Sequence, residues 1–445
     1  MTTRALLVSA IASGEGKTTV TAALARHLMQ RGRRVRVFKT GADFLDASML
    51  EYATGQPIYV LDTWMVGEEE CRALLAQALA EADVVLVEGV MGLYDGTPST
   101  ADLSRLLDLP VIAVIDARAM AQTAGAVALG LRDFGPVELA GVIANGVAGA
   151  GHRAMLAGSL RDIPLIATLP RQPRSLPERH LGLTLPGESR DVEELLDQLG
   201  KTIEVDERAF RTITDGDDST ARRGATRHEA RQSAAHAQTQ ARERPLAGRR
   251  IAVARDAAFA FLYPANIDCL ARLGAAISFF SPLADEPVPD GAGGVFLPGG
   301  YPELHAERLS RASRFRDSIR AAHRARVPIL AECGGMMSIA ESVGGPDGHD
   351  WPMAGLLPGC ARLQTRLAAL GPQSWGTRSG ELRGHTFHYS TLDTPLAAVA
   401  RTRTHPYEAP GEPIYRVGTL TASYFHAYFN SCPGAIAAVF SGEDP

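Results

Sequence analysis

Near its start the chain runs from an apolar stretch, Arg4-Ala-Leu-Leu-Val-Ser9, into Ala10-Ile-Ala-Ser-Gly-Glu-Gly-Lys-Thr-Thr19 and then into an amphipathic segment closed by Gly32. A buried strand, a glycine-rich turn and a helix in that order fix the local fold, because the turn must wrap backbone N–H groups around an anion at the helix N-terminus. The residues predict a phosphate-binding loop. Gly14, Glu15, Gly16, Lys17, Thr18 and Thr19 are its candidate nucleotide contacts, with Lys17 reaching the outer phosphates and the Thr18 hydroxyl available to Mg²⁺. Ile11 stands where the first glycine of the usual G-x-x-x-x-G-K-[ST] spacing would be.

Strand-like runs then alternate with helical ones at 34–38, 83–87, 111–115, 139–144 and 165–169. That alternation predicts a mostly parallel, doubly wound α/β sheet with ligands at the C-terminal strand edges. Two acidic loops follow such edges, Lys39-Thr-Gly-Ala-Asp-Phe-Leu-Asp46 and Glu88-Gly-Val-Met-Gly-Leu-Tyr-Asp95. Asp43 and Glu88 are the candidates to complete a Mg²⁺ shell with Thr18, since Mg²⁺ takes few protein ligands beside phosphates and water. Asn145 closes Val142-Ile-Ala-Asn145 and is either a reader of a nucleobase edge or a turn residue before Gly146.

A second α/β pattern begins at Ile251, with strands expected at 251–254, 277–280 and 294–297. Its centre is Pro328-Ile-Leu-Ala-Glu-Cys-Gly-Gly-Met-Met337, a buried strand that turns at a cysteine into a helix. A thiol at such an elbow is pushed out of the sheet, and the helix N-terminus there favours the thiolate. Cys333 is therefore the candidate nucleophile and His426, in Ala422-Ser-Tyr-Phe-His426, its base. The glycine pair Gly299-Gly300 can approach a ligand closely, and the N–H groups of Gly300 and Gly334 are candidates for an oxyanion hole. Such a set suits acyl transfer. His385 and His388 lie in Gly384-His-Thr-Phe-His-Tyr-Ser390, and without a third ligand in the pattern they are assigned to substrate contact or packing rather than to a metal.

Between the two patterns, residues 205–247 lack an apolar stripe and mix Asp, Arg, Ala, Gln and His. That composition predicts a disordered linker, with domains at 1–204 and 248–445. A net charge of -5 argues against nucleic acid or an acidic membrane surface as partner. The five scattered cysteines point to a reducing, cytoplasmic setting, and no stretch reads as a secretory signal or a membrane span.

Taken together, Ser13-Gly-Glu-Gly-Lys-Thr-Thr19, Glu88-Gly-Val-Met-Gly-Leu-Tyr-Asp-Gly96, Pro177-Glu-Arg-His-Leu-Gly-Leu183, Leu297-Pro-Gly-Gly-Tyr-Pro-Glu303, Ala331-Glu-Cys-Gly-Gly335, Gly384-His-Thr-Phe-His-Tyr-Ser390 and Ala422-Ser-Tyr-Phe-His426 resemble the a,c-diamide synthases of corrin biosynthesis. The resemblance covers the chain apart from the linker. It implies a dethiobiotin-synthetase-like ATP domain followed by a class I glutamine amidotransferase domain. The implied reaction uses L-glutamine, ATP and Mg²⁺ to amidate the a and c acetates of hydrogenobyrinic or cobyrinic acid through a phosphorylated carboxylate, in an enzyme expected as a homodimer. Asp46 and Tyr94, in the two acidic loops, are then expected to contact substrate.

Two departures stand out. Class I amidotransferases often carry His-x-Glu, whereas residue 428 is Tyr, which fits the corrin branch, where a Cys–His pair without the Glu is the norm; and Thr386 replaces the glutamate usual in Gly-His-Glu-Phe-His-Tyr-Ser. A partition-type ATPase would need a lysine at Ala12, and cobyric acid synthase has Pro-Gly-Ser-Lys in place of Pro-Gly-Gly-Tyr-Pro-Glu303. A nickel-sirohydrochlorin amidotransferase remains the alternative within the same kind.

Overall fold

The computed structural model describes residues 4–172, 190–214, 244–345 and 348–445, and these form two compact units, one on each side of the 215–243 stretch. The motif Pro177–Leu183 lies outside the described residues.

In the first unit, eight strands form one sheet: β1 (Ala5–Ala10), β2 (Val35–Lys39), β3 (Tyr59–Val60), β4 (Val84–Glu88), β5 (Val111–Asp116), β6 (Leu139–Val147), β7 (Leu165–Pro170) and β8 (Glu204–Val205). Their order is β3-β2-β4-β1-β5-β6-β7-β8, parallel throughout except for the β7–β8 edge pair. Strands such as Ala5–Ala10 and Val84–Glu88 are buried along their whole length, which a parallel sheet requires because helices cover both of its faces. From β1 the chain goes first to one side of the sheet and later to the other, which opens a crevice at the strand C-termini. Register puts Val8 opposite Glu88 and Lys39 opposite Glu88, so the ends of β1, β2 and β4 converge there.

Helix α1 (Lys17–Gln30) leaves the end of β1 and packs Leu24 and Leu28 into a core shared with Leu196 and Leu199 of the helix Arg190–Thr202. The expected linker begins later than its composition suggests. Glu204–Val205 adds the last strand, and the helix Glu207–Thr214 buries Phe210 and Ile213 in the same core, its start capped by the Asp206 carboxylate on the N–H groups of Arg208 and Ala209. Two apolar side chains three apart on one helical face are enough when a ready core receives them; average composition hides such a pair. At the other end, Leu246 is fully buried and its N–H donates to the Leu273 carbonyl, so the second unit begins before residue 248.

The second unit has a ten-stranded sheet and a four-stranded one. The strands are β9 (Arg250–Ala254), β10 (Ala276–Phe280), β11 (Gly294–Leu297), β12 (Ile329–Glu332), β13 (Ala340–Gly344), β14 (Asp350–Pro352), β15 (Leu357–Leu363), β16 (Ala369–Thr377), β17 (Gly380–His388), β18 (Ser390–Asp393), β19 (Ala400–Thr404), β20 (Pro410–Val417), β21 (Leu420–Ser423) and β22 (His426–Ala427). The large sheet runs β10-β9-β11-β12-β21-β20-β19-β16-β17-β22, and the small one β14-β13-β15-β18. Its first five strands are parallel, and β20 begins an antiparallel extension that carries β17 and β22 back toward the end of β12. Among the described residues no helix is long and apolar enough to cross a membrane.

Candidate functional site

The first constellation grows from the turn after β1. Gly14 and Gly16 both have positive φ, 87° and 84°, and at Gly16 a Cβ would lie 2.3 Å from the Asn145 amide nitrogen, so only glycine fits. The Asn145 amide donates to the Glu15 carbonyl at 3.1 Å, and the Glu15 carboxylate accepts the Asp116 N–H at 2.8 Å. Asn145 is thus a strand residue whose amide braces the loop itself, not a turn residue. Lys17 Nζ donates to the Ala12 carbonyl at 2.9 Å. Burial and the neighbouring Lys39 charge lower its pKa, against the pull of Glu88, Asp46 and Glu15. Thr19 lies in the first turn of α1.

Thr18 and Glu88 are brought together, with the Thr18 hydroxyl donating to Glu88 Oε1 at 2.9 Å. Lys39, which the motif reading passed over although it ends β2, donates to the same oxygen at 2.8 Å and to Asp46 at 3.0 Å. Burial opposes the Lys39 charge, yet Glu88, Asp46 and Asp43 hold its pKa above the ordinary lysine value. Glu88 Oε2 is buried and, among the described residues, has no hydrogen-bond partner. That orphaned oxygen beside a threonine hydroxyl fits a hard divalent cation that draws its other ligands from phosphate and water. Asp43 caps helix α2 (Phe44–Thr54), accepting from the N–H groups of Leu45 and Asp46, and stands at the edge of the cluster. Asp46 is committed to Lys39, and the Tyr94 hydroxyl donates to the Leu131 carbonyl at 2.5 Å while its ring packs on Phe134. The two expected substrate contacts are therefore engaged within the unit.

The second constellation is built on β12. Cys333 follows that strand with φ 46° and ψ -109°, a conformation that costs a non-glycine residue on the order of 1–3 kcal/mol. The elbow is held by the Cys333 N–H on the Ser423 carbonyl at 2.7 Å and by the Met337 N–H on the Cys333 carbonyl. The glycines around it are dictated by close packing. A Cβ on Gly299 would meet His426 Cε1 at 2.3 Å and Cys333 Cβ at 3.4 Å, so Gly299 lies against both members of the expected pair. A Cβ on Gly334 would meet the Gly300 nitrogen at 2.8 Å and Pro302 Cδ at 2.7 Å, and one on Gly335 the Leu297 carbonyl oxygen at 2.0 Å. The turn after β11 is thereby pressed onto the helix Gly334–Ile339, with the backbone of Gly300 beside that of Gly334.

The electrostatics differ from the expected thiolate. Burial, then the Glu303 carboxylate, push the Cys333 thiol far above its ordinary value, against the single favourable Gly334 N–H. Burial, with His385 and His388 nearby, pushes His426 well below the usual imidazole value. The resting pair is neutral thiol and neutral imidazole. A helix of six residues adds too small a dipole to overcome the loss of water.

No His-x-Glu carboxylate orients His426. Instead the β17–β22 pairing puts His385 opposite His426 with rings stacked at 4.9 Å and 16°. His385 Nδ1 meets the Tyr263 hydroxyl at 3.0 Å, and burial takes the His385 pKa down to about 3. Glu412, which no motif flagged, accepts from His388 at 2.9 Å and from Thr386 at 3.2 Å, so Thr386 works as a donor to a carboxylate supplied by β20. His388 also stacks on Tyr424 at 3.8 Å. Glu332, beside the cysteine, accepts the Ala427 N–H, and burial raises its pKa to about 8.

The two units are a nucleotide-binding domain and a glutamine amidotransferase domain. Residues 6–183 match the CobQ/CobB/MinD/ParA nucleotide binding domain, and residues 250–433 the CobB/CobQ-like glutamine amidotransferase domain. Over 99% of its length the chain is 54% identical to the cobyrinate a,c-diamide synthase of Herminiimonas arsenicoxydans, of which it covers 97%. Over 98% it is 49% identical to the hydrogenobyrinate a,c-diamide synthase of Stutzerimonas stutzeri and 47% to that of Pseudomonas aeruginosa, covering 98% and 97% of those chains. The chain belongs to the cobyrinate/hydrogenobyrinate a,c-diamide synthase family.

Proposed function

We propose that the protein amidates the a and c acetate carboxylates of cobyrinate or its metal-free counterpart, using ATP and ammonia taken from glutamine. The observation that supports it most is the convergence of Cys333, His426 and the Gly300–Gly334 backbone in a chain that also carries the Lys17 loop. His426 takes the Cys333 proton as sulfur attacks the carboxamide carbon of glutamine, and the N–H groups of Gly300 and Gly334 receive the oxyanion. The C–N bond breaks, the proton passes to the departing nitrogen, and ammonia leaves a thioester that water hydrolyses to glutamate and free thiol.

In the first unit Lys17 meets the outer phosphates of ATP, and the acetate carboxylate takes the terminal phosphoryl group to give an acyl phosphate and ADP. Phosphate then leaves as ammonia attacks, which an unactivated carboxylate does not permit. Thr18 and Glu88 would hold Mg²⁺, which supplies charge neutralisation of the phosphates. Asp43 and the loops of Asp46 and Tyr94 border this site.

The test compares nitrogen sources. Cys333→Ala should abolish diamide formation from glutamine while amidation from added ammonium at high pH persists, followed by chromatography and mass of the corrin product on cobalt-loaded and metal-free substrate. Loss of the ammonium-driven reaction in the folded variant, or survival of the glutamine-driven one, would refute the division of labour.

A further inference from the structure

Three buried carboxylates act on the Cys333 thiol: Glu303 most strongly, then Glu412 and Glu332. Two of them have work in the fold. Glu412 accepts from His388 and Thr386, and Glu332 from the Ala427 N–H. Glu303 is 9% exposed, and among the described residues only its own backbone N–H reaches its carboxylate. Among the described residues no cation offsets its charge, and burial raises its pKa to about 7. A carboxylate this buried, with one backbone N–H and no countercharge to offset its desolvation, is costly to the fold, and a cationic ligand would offset that cost.

Its place is set by the turn that carries Gly299 and Gly300. Pro302 to His305 form a short 3-10 turn directly after that glycine pair, with the Pro302 ring against Gly334. Tyr301 packs edge-on to Phe261 at 4.9 Å, and Phe261 lies 6.2 Å from the His426 ring, which closes this side of the site. Burial, then His385 and His388, depress the His426 pKa.

We infer that Glu303 is the specificity-determining contact for the α-ammonium group of glutamine. The inference rests on the glutaminase reading of this unit. With the carboxamide at Cys333 and its oxygen on Gly300 and Gly334, the amino group of an extended glutamine lies four bonds, about 5 Å, from the reacting carbon. It is the one cation that substrate brings. Binding it also neutralises the carboxylate that most opposes ionisation of Cys333, so the amino acid's arrival helps to activate the nucleophile that will attack it.

The experiment measures ammonia release by the full-length protein and compares glutamine with 4-carbamoylbutanoate, which keeps the carboxamide and carboxylate but lacks the amino group and is hydrolysed to glutarate. Wild type should favour glutamine strongly. Glu303→Gln should raise KM for glutamine about ten- to a hundredfold, the loss expected for one charge-assisted hydrogen bond, and should treat the two compounds alike. Glu303→Asp, which keeps the charge, should recover part of the preference, and amidation from added ammonium shows that each variant is folded. If Glu303→Gln keeps the wild-type KM and preference, or if Asp and Gln variants are equally impaired with preference intact, the inference is overturned while the glutaminase reading stands. If wild type releases no ammonia from glutamine, both fall.

Discussion

Glu332 offers a way to test the electrostatics of the second unit apart from its chemistry. Burial raises its pKa from 4.5 to about 8, with the Ala427 N–H as the opposing influence. An acid whose folded pKa lies above its unfolded one contributes fully below the unfolded value and loses that contribution as pH rises through the folded value. From these two values the loss is on the order of 1 kcal/mol at pH 5, 3 kcal/mol at pH 7 and 5 kcal/mol at pH 9. Glu332→Gln keeps an acceptor for Ala427 but adds a buried amide whose unmet donors cost roughly 1–3 kcal/mol at every pH. The variant should thus be less stable than wild type at pH 5 and more stable at pH 9, the two curves crossing near neutrality. Urea unfolding followed by tryptophan fluorescence in a Trp64→Phe background isolates the second unit, because the remaining tryptophans, Trp351 and Trp375, both lie there. Parallel pH profiles for the two proteins would refute the assignment of a neutral, buried Glu332.

Three further outcomes follow from particular contacts. Lys17→Ala should abolish amidation from glutamine and from ammonium alike, read as corrin product at saturating ATP. Gly299→Ala places a Cβ 2.3 Å from His426 Cε1 and should lower glutamine-driven turnover by roughly a hundredfold, since displacing a catalytic group by about 1 Å costs that much, while ammonium still supports product. Phe210→Ala should destabilise the first unit by about 3–5 kcal/mol in urea unfolding, because the ring is 2% exposed in that unit's core; no measurable change would contradict the placement of 207–214 within the folded unit.

The chain's two α/β patterns were legible because parallel strands buried on both faces must be continuous apolar runs, and the expected first-unit strands match the observed ones to within a few residues. The chemistry at their ends was legible where a single residue type is forced, as at Gly16 against Asn145 or Gly299 against His426. What stayed hidden depends on contacts distant in sequence. Lys39 takes its meaning from Glu88 and Asp46, and Glu412 from a hairpin that returns it to His388. The helix at 207–214 was missed because two well-placed apolar residues disappear in a polar average.

The thiol at the elbow illustrates how local and global effects compete. Sequence places Cys333 at a helix start, and the single Gly334 N–H does act in the expected direction. That interaction is local, so a motif can reveal it. Desolvation by the surrounding core and the repulsion of Glu303 and Glu412 arise only once the sheet is assembled, and together they exceed it. His426 is subject to the same burial and is pushed the other way, so proton transfer within the empty pair would create two charges in a site that disfavours each. Activation of the nucleophile must therefore come from interactions made when substrate is present: the oxyanion hole, which stabilises charge only as it develops, and the neutralisation of a nearby carboxylate.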